Sequence, residues 1–134
     1  HDWHAKRIAH ALEIDSAANE FDVVRTVNVP EYIEHAQYKH YIFVRPECLK
    51  NEWSRDRVVE EIVARGVPCF QGSCSEVYLE KAFDNTGWRP KERLLNAKEL
   101  GETSLMFLVH PTLTETEINK TCSVLKEVLG LAQK

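Results

Sequence analysis

The stretch Gly66-Val-Pro-Cys-Phe-Gln-Gly-Ser-Cys-Ser-Glu76 decides how the rest of the chain is interpreted. It follows an amphipathic helical pattern, opens with the short apolar run 67–70, and continues as small polar residues that end on an acid. Small residues let a backbone approach another group closely, and loops carried by rigid elements often hold binding sites. Two interpretations stand side by side: an ordinary strand-to-helix connection in which Ser73 or Ser75 caps a helix, and a loop that carries a site.

Composition and charge indicate a single globular domain over residues 1–134. Hydrophobic residues make up 43% of the chain and charged residues 28%, and this length gives room for one core. The net charge is −4 without a cluster of basic residues, so we expect no nucleic-acid partner, because phosphate binding relies on clustered Lys and Arg. No apolar run approaches the roughly 20 residues of a membrane helix, and no signal peptide is recognisable. We therefore expect no membrane partner and a cytoplasmic location.

The four cysteines are expected to be free, reduced thiols. They are Cys48, Cys69, Cys74 and Cys122. Two disulfides are conceivable from the even number, but the chain is core-forming and helix-rich rather than small and cysteine-dense. Only Cys69 and Cys74 are close in sequence, and no second ligand pair stands at the spacing of a zinc finger or ribbon. We expect no bound metal.

The first half of the chain predicts two helices and two strands. Apolar residues at helical spacing predict a helix over 1–21, and no capping residue precedes it. A helix that starts without a start signal indicates a helix that was cut, so we expect the chain to be a fragment of something longer. The β-branched and aromatic runs 22–29 and 38–45 predict strands that pair antiparallel. Ser54 predicts a helix cap, with Val58, Val59, Ile62 and Val63 forming the buried face and Gly66 the left-handed residue after the helix.

The second half predicts shorter elements and a final helix. Residues 77–83 are expected to form a short helical piece, and 91–100 a helix that buries Leu94, Leu95 and Ala97 and is closed by Gly101. The continuously apolar run 104–109 predicts a strand buried on both faces. The segment Thr114-Glu-Thr-Glu117 is a capping box, which begins the last helix. The predicted fold class is α+β, a small mainly antiparallel sheet packed against helices.

Three motifs in this order are similar to those of a known family. They are Gly66-Val67 with the following loop, Glu92-Arg93-Leu94 near a helix start, and Leu108-Val-His-Pro-Thr-Leu113 running into the capping box. The chain resembles the C-terminal small domain of the DegT/StrS family of sugar aminotransferases, which are fold type I pyridoxal-phosphate enzymes. The resemblance covers nearly the whole chain, from Ile8 to Leu129. It implies that the chain is the C-terminal fragment of a longer enzyme, in which residues 1–21 continue a linking helix from a missing N-terminal domain.

The resemblance implies a cytoplasmic homodimer that transfers an amino group, commonly from glutamate, to a nucleotide-linked keto sugar for surface polysaccharides or antibiotics. In this family a lysine of the large N-terminal domain holds pyridoxal phosphate as a Schiff base. None of the lysines here lies in the glycine-rich context of that residue, and the phosphate-cradling segment and the aspartate that partners the pyridine nitrogen are also absent. The lysines are Lys6, Lys39, Lys50, Lys81, Lys91, Lys98, Lys120, Lys126 and Lys134. We therefore expect this fragment alone to bind no cofactor and to be inactive, with the chemistry in the missing domain.

The resemblance also places candidate substrate contacts in the opening stretch. The family often has a His-Tyr pair that faces the substrate after the Gly66-type glycine, and Gly72 and Ser73 stand there in this chain. The candidate substrate-binding residues are Gly72, Ser73, Cys74, Ser75 and Glu76. Such a loop would bind through backbone amides, hydroxyls and one carboxylate, and we expect Glu76 at the sugar end because a carboxylate repels a diphosphate.

Other interpretations of single residues and of the whole chain stay open. Cys74 and His110 could form a nucleophile–base pair, although nothing in the sequence brings them together. His35 and His40 have no acidic partner at regular spacing, which argues against a metal pair. From another class, the chain could be a stand-alone α+β module for ligand binding or dimerisation. The residues leave open the sugar, the aminated carbon, the amino donor and a dehydratase variant of the same fold.

Overall fold

The computed structural model of the protein describes residues 2–134, and within them it contains four α-helices and one four-stranded sheet. The elements are α1 (Asp2–Ala18), β1 (Val24–Arg25), β2 (His40–Val44), α2 (Arg55–Ala64), β3 (Cys69–Phe70), α3 (Leu95–Thr103), β4 (Ser104–Phe107) and α4 (Glu115–Ala132). The strand order is β1-β2-β4-β3, and all pairs are antiparallel. The predicted α+β class with a small antiparallel sheet is confirmed.

The main core lies between the sheet and the helices α1, α2 and α4. Alternate strand residues such as Ile42 and Phe107 point into it and meet Ile14, Ile62 and Leu125, all fully buried. Every residue of β4 is buried, as the apolar run predicted, but the strand ends at Phe107 rather than at 109, because its pairing with β2 and β3 ends there, and Leu108 is 40% exposed. Helix α3 passes directly into this central strand without a connecting residue. None of the helices described in residues 2–134 is both long enough and apolar enough to span a membrane.

The predicted helix ends are confirmed where their signals are local. The Ser54 hydroxyl accepts a hydrogen bond from the Arg57 amide at 3.2 Å, so Ser54 is the N-cap of α2. Gly66 follows that helix with a φ of +76°, a left-handed conformation that suits glycine. In the capping box of α4, the Thr114 amide donates to Glu117 Oε2 at 2.7 Å and the Glu117 amide donates to Thr114 Oγ1 at 3.3 Å.

The first predicted strand was too long. β1 ends at Arg25, and Val27 is 45% exposed although 22–29 was predicted as one strand. The chain leaves the sheet there, and Val27 and Val29 line a groove beside α1 instead. The helix predicted over 1–21 extends over Asp2–Ala18, and residue 1 lies outside the described residues.

Further predictions, most of them about the second half, were also wrong in detail. α3 begins at Leu95 rather than at 91, and it continues through Gly101 to Thr103. Leu94 and Leu95, which were predicted to be buried, are exposed, the latter by 76%. The piece 77–83 forms two short 3-10 turns, Val77–Leu79 and Lys81–Phe83, and neither Ser73 nor Ser75 occupies a cap position. In α2, Val63 is exposed rather than buried.

Candidate functional site

The loop predicted to carry a site lines an open depression at the edge of the sheet. The depression has a volume of about 330 Å³ and lies between the end of β3 and the end of α3. Its lining residues are Gln71, Gly72, Ser73, Cys74, Ser75, Glu76, Gly101 and Glu102. The structure therefore brings all five predicted residues to one surface and adds three that were not predicted, Gln71, Gly101 and Glu102.

The first half of the loop is seated on the sheet at Gly72. Its φ is +95°, and a Cβ at this position would lie 2.7 Å from Cε1 of Tyr41 in β2. The Tyr41 and Ser73 hydroxyls share a hydrogen bond of 3.3 Å. On the other side, the Ser104 hydroxyl donates to the Gln71 carbonyl at 2.5 Å. A side chain at position 72 would thus collide with a ring, which is why the loop needs glycine here.

The second half of the loop is seated on α3 at Gly101. A Cβ on Gly101 would overlap the Ser75 hydroxyl, so the absence of a side chain allows the close approach. Arg55 of α2 also holds the end of α3, because its Nη1 donates to the carbonyl oxygens of Gly101 at 2.9 Å and Ser104 at 3.1 Å. The backbone beside Glu102 is consequently held by contacts to a helix, a strand and the loop.

Glu76 anchors the end of the loop. Its carboxylate accepts hydrogen bonds from Arg93 Nε at 2.7 Å, Arg93 Nη2 at 2.5 Å and the Tyr78 hydroxyl at 2.6 Å. The Arg93 guanidinium, with the Tyr78 hydroxyl, lowers the pKa of Glu76 to about 2, and the same pairing raises the pKa of Arg93. Tyr78 in turn accepts the Leu94 amide at 3.0 Å, just before α3. The Glu76 side chain is only 12% exposed, so this carboxylate ties the loop to the start of α3.

Glu102 is the other carboxylate of the depression, and its surroundings differ. Its side chain is 58% exposed, and its nearest cationic atoms are Arg93 Nη2 at 3.9 Å and Lys98 Nζ at 4.0 Å. These distances exceed those of hydrogen bonds. In the sequence, the indication that Glu102 lies at a site is its neighbour Gly101, because a glycine inside a helical pattern often marks a position where another segment packs closely against the helix.

The cysteine–histidine alternative finds no support in the local contacts. The Cys74 thiol donates to Glu80 Oε1 at 3.6 Å, whereas His110 Nδ1 lies 2.7 Å from the Thr112 hydroxyl. All four cysteines are unpaired. Among the cysteines other than Cys74, Cys69 is buried, and burial raises the pKa of its thiol to about 12. A thiol with so high a pKa is a poor nucleophile at neutral pH.

His40 has an acidic partner that the sequence analysis did not find. Its Nε2 lies 2.8 Å from Oδ1 of Asp15 in α1, and the His40 side chain is only 4% exposed. The pair lies beside a second cavity of about 450 Å³, which is lined by apolar side chains such as Ile8, Leu12 and Val27. Across residues 2–134, no three or more His, Cys, Asp or Glu side chains are grouped so as to hold a metal ion.

The depression does not fit pyridoxal phosphate as the holder of a Schiff base, because no lysine lines it. The lysines of residues 2–134 lie outside this depression. Lys120, for example, donates to the Gly66 carbonyl at 3.1 Å, and Lys50 donates to the Leu131 carbonyl at 2.7 Å. What the depression offers instead is hydroxyls, an amide and carboxylates, which suit hydrogen bonding to a neutral polar molecule.

Comparison with solved structures finds aminotransferases. The aminotransferase from Psychrobacter cryohalolentis is 51% identical with a TM-score of 0.88, and the match covers 97% of this chain and 35% of that chain. A DegT DnrJ EryC1 StrS aminotransferase from Brucella abortus has 22% identity and a TM-score of 0.77, over 96% and 32% of the two chains. The sugar aminotransferase CalS13 from Micromonospora echinospora has 14% identity and a TM-score of 0.75, over 93% and 30%.

These matches show the fold of the small domain of an aminotransferase, and the chain spans about a third of the length of the proteins it matches. The two matches below 25% identity support the fold alone. No family model and no curated protein matches the chain.

Proposed function

We propose that the chain is the C-terminal small domain of a pyridoxal-phosphate-dependent aminotransferase of the DegT/StrS type that aminates a nucleotide-linked keto sugar. The observation that carries this proposal is the 51% identity to an aminotransferase over 97% of the chain. In the proposed enzyme the domain closes the active site and contributes substrate contacts from the loop 72–76, and a large N-terminal domain holds the cofactor. The complete enzyme is proposed to be a cytoplasmic homodimer.

The chemistry of the depression supports a sugar rather than an anion as the neighbouring part of the substrate. Ser73 and Ser75 supply hydroxyls, and Glu102 supplies an exposed carboxylate. No Lys or Arg is among the residues that line it, so a diphosphate would meet two carboxylates there and no cation in the lining. Pyridoxal phosphate supplies the electron sink for amino transfer when bound. In this proposal the cofactor is held entirely outside the chain, because the depression has no lysine.

A stand-alone binding or dimerisation module is the second candidate. The observation that favours it is the apolar groove between α1 and the segment 26–39, about 450 Å³ in volume, because apolar cavities of this size commonly take small ligands. A gene that begins with its own initiator methionine close before the present first residue would support this candidate.

The test uses the complete polypeptide of the gene and the 134-residue chain in parallel. The complete protein is mixed with pyridoxal phosphate, reduced with borohydride and mapped by mass spectrometry, and it is assayed for amino transfer from glutamate to keto sugar nucleotides. We expect one labelled lysine outside the present chain, activity in the complete protein, and neither property in the chain alone. A single lysine of this chain labelled stoichiometrically, or a complete protein without amino transfer, would contradict the proposal.

A further inference from the structure

We infer that Glu102 is a specificity-determining residue, whose carboxylate accepts hydrogen bonds from the sugar hydroxyls of the substrate, and that Glu76 is the positioning residue that holds the loop in place. This inference rests on the proposed function, and it divides between two carboxylates a role that the sequence analysis gave to Glu76 alone. That Glu76 itself contacts the sugar stays a prediction. The contacts of Glu76 and Glu102 bear on which of the two carboxylates can bind a ligand.

The contacts of Glu76 leave it little capacity for a ligand. A carboxylate offers about four lone-pair sites, and three of those on Glu76 already accept from Arg93 and Tyr78. The Arg93 pair is bidentate, the geometry in which a guanidinium and a carboxylate bind each other most strongly. A sugar hydroxyl could reach the remaining site only past a side chain that is 12% exposed. Glu76 is therefore built to hold the loop.

Glu102 combines a fixed backbone with an available side chain. Arg55 and the Ser75 contact immobilise the neighbouring Gly101, which determines where the Glu102 side chain starts. Its carboxylate is 58% exposed and is within hydrogen-bond distance of neither Arg93 nor Lys98. At these distances the two cations do not occupy its lone pairs, so it can accept hydrogen bonds from a ligand in the depression.

The ligand that this arrangement takes is neutral and rich in hydroxyls. Ser75 makes no hydrogen bond through its hydroxyl to another side chain within residues 2–134, and it faces the same depression as Glu102. A hydroxyl and a carboxylate that line one depression can accept hydrogen bonds from two hydroxyls of a sugar ring. A phosphate or carboxylate group is disfavoured there, because it would be close to Glu102 without a cation among the lining residues.

α3 also offers a matched control. Glu99 lies three residues before Glu102 and lines a second depression, to which Glu102 also contributes but to which none of residues 71–76 belongs. Oε1 of Glu99 lies 3.2 Å from Arg25 Nη2. Replacing Glu99 removes the same charge from the same helix without changing the lining of the 71–76 depression. An effect of Glu102→Ala that Glu99→Ala does not share is thus due to position and not to the charge of α3.

The experiment compares Glu102→Ala, Glu102→Gln and Glu99→Ala in the complete enzyme, with the two half-reactions measured separately from the cofactor spectrum. For Glu102→Ala we expect kcat/KM of the sugar half-reaction to fall about tenfold to a hundredfold, the effect of losing a hydrogen bond to a charged group. Glu102→Gln keeps an acceptor and should recover part of the loss. The half-reaction with the amino donor should be unchanged in every variant, and Glu99→Ala should match the wild type in both.

The outcomes separate this inference from the proposed function. A wild-type enzyme without amino transfer would contradict the proposed function. An active wild type in which Glu102→Ala leaves the sugar half-reaction unchanged would overturn the role of Glu102 alone. If Glu76→Gln lowers only the sugar half-reaction and leaves the melting temperature unchanged, Glu76 is the contact and the assignment is reversed.

Discussion

Replacing Gly72 by alanine tests whether the loop 71–76 packs directly against Tyr41 of β2. At a φ of +95° an L-residue adopts a rare conformation, which costs about 1–2 kcal/mol. In addition, the new Cβ would lie 2.7 Å from Cε1 of Tyr41, a ring atom that cannot move away by rotating a flexible side-chain end. Forcing an extra carbon into a packed site costs about 1–3 kcal/mol. We therefore expect Gly72→Ala to lower the free energy of unfolding by about 2–5 kcal/mol.

A second glycine separates the two contributions. Gly87 has a φ of +77°, and no atom lies within 4 Å of the position its Cβ would occupy. Gly87→Ala should thus cost only the conformational part, about 1–2 kcal/mol. The excess of Gly72→Ala over Gly87→Ala is then due to the ring, and it should disappear when Gly72→Ala is made together with Tyr41→Ala.

Urea unfolding at 25 °C of Gly72→Ala, Gly87→Ala, Tyr41→Ala and the Gly72→Ala/Tyr41→Ala double variant, followed by tryptophan fluorescence and circular dichroism, measures these differences. The reasoning is refuted if Gly72→Ala costs no more than Gly87→Ala. It is also refuted if the excess persists in the Tyr41→Ala background, because the collision with the ring would then not be its cause.

Three further predictions concern single side chains. Thr114→Ala should lower the free energy of unfolding by about 1 kcal/mol, measured by urea titration, because it removes the cap of α4; an unchanged midpoint would contradict this. Because Arg93 lowers the pKa of Glu76 from 4.5 to about 2, the stability contributed by Glu76 is present above pH 4.5 and is lost as the pH falls toward 2. Urea midpoints of the wild type should consequently fall more over that range than those of Glu76→Gln, and parallel curves would count against the pairing. Iodoacetamide at pH 8 should modify exposed Cys74 in the native chain but Cys69 only after unfolding, as mass spectrometry would show; early labelling of Cys69 would mean that β3 is open.

Helix ends and the central strand could be predicted because their signals are contained in a few adjacent residues. The capping box at 114–117 satisfies its own amides, and Ser54 needs only the backbone three residues later. The apolar run of β4 indicates burial on both faces irrespective of its neighbours. Such features depend on local geometry, which is the same in any fold.

The start of α3 could not be predicted because it depends on contacts between distant residues. The sequence favours a helix from 91, but Arg93 is taken by Glu76, 17 residues earlier, and the Leu94 amide is taken by Tyr78. Likewise, the acidic partner of His40 is Asp15 in α1, 25 residues away. Tertiary hydrogen bonds of this kind override local propensity and leave no periodic trace.

The candidate site was predictable only in its contiguous part. Residues 72–76 could be selected together because they adjoin in sequence and share small polar side chains. Glu102 reaches the same depression from another element, and the sequence around its neighbour Gly101 predicts a helix end, because glycine commonly follows the last residue of a helix. The contact with Ser75, which lies 26 positions earlier, explains the glycine instead.

The direct passage of α3 into β4 bears on how this domain can diverge. Thr103 is the last helical residue and Ser104 the first of the strand, so no loop absorbs a change of length. One inserted residue would turn Glu102 by about 100° about the helix axis, or would slip the central strand and exchange its two faces. The segment 26–39, by contrast, has no helix or strand to disturb. Relatives of this domain should accordingly vary in length between β1 and β2, whereas new ligand preferences at the 71–76 depression must arise by substitution at constant length.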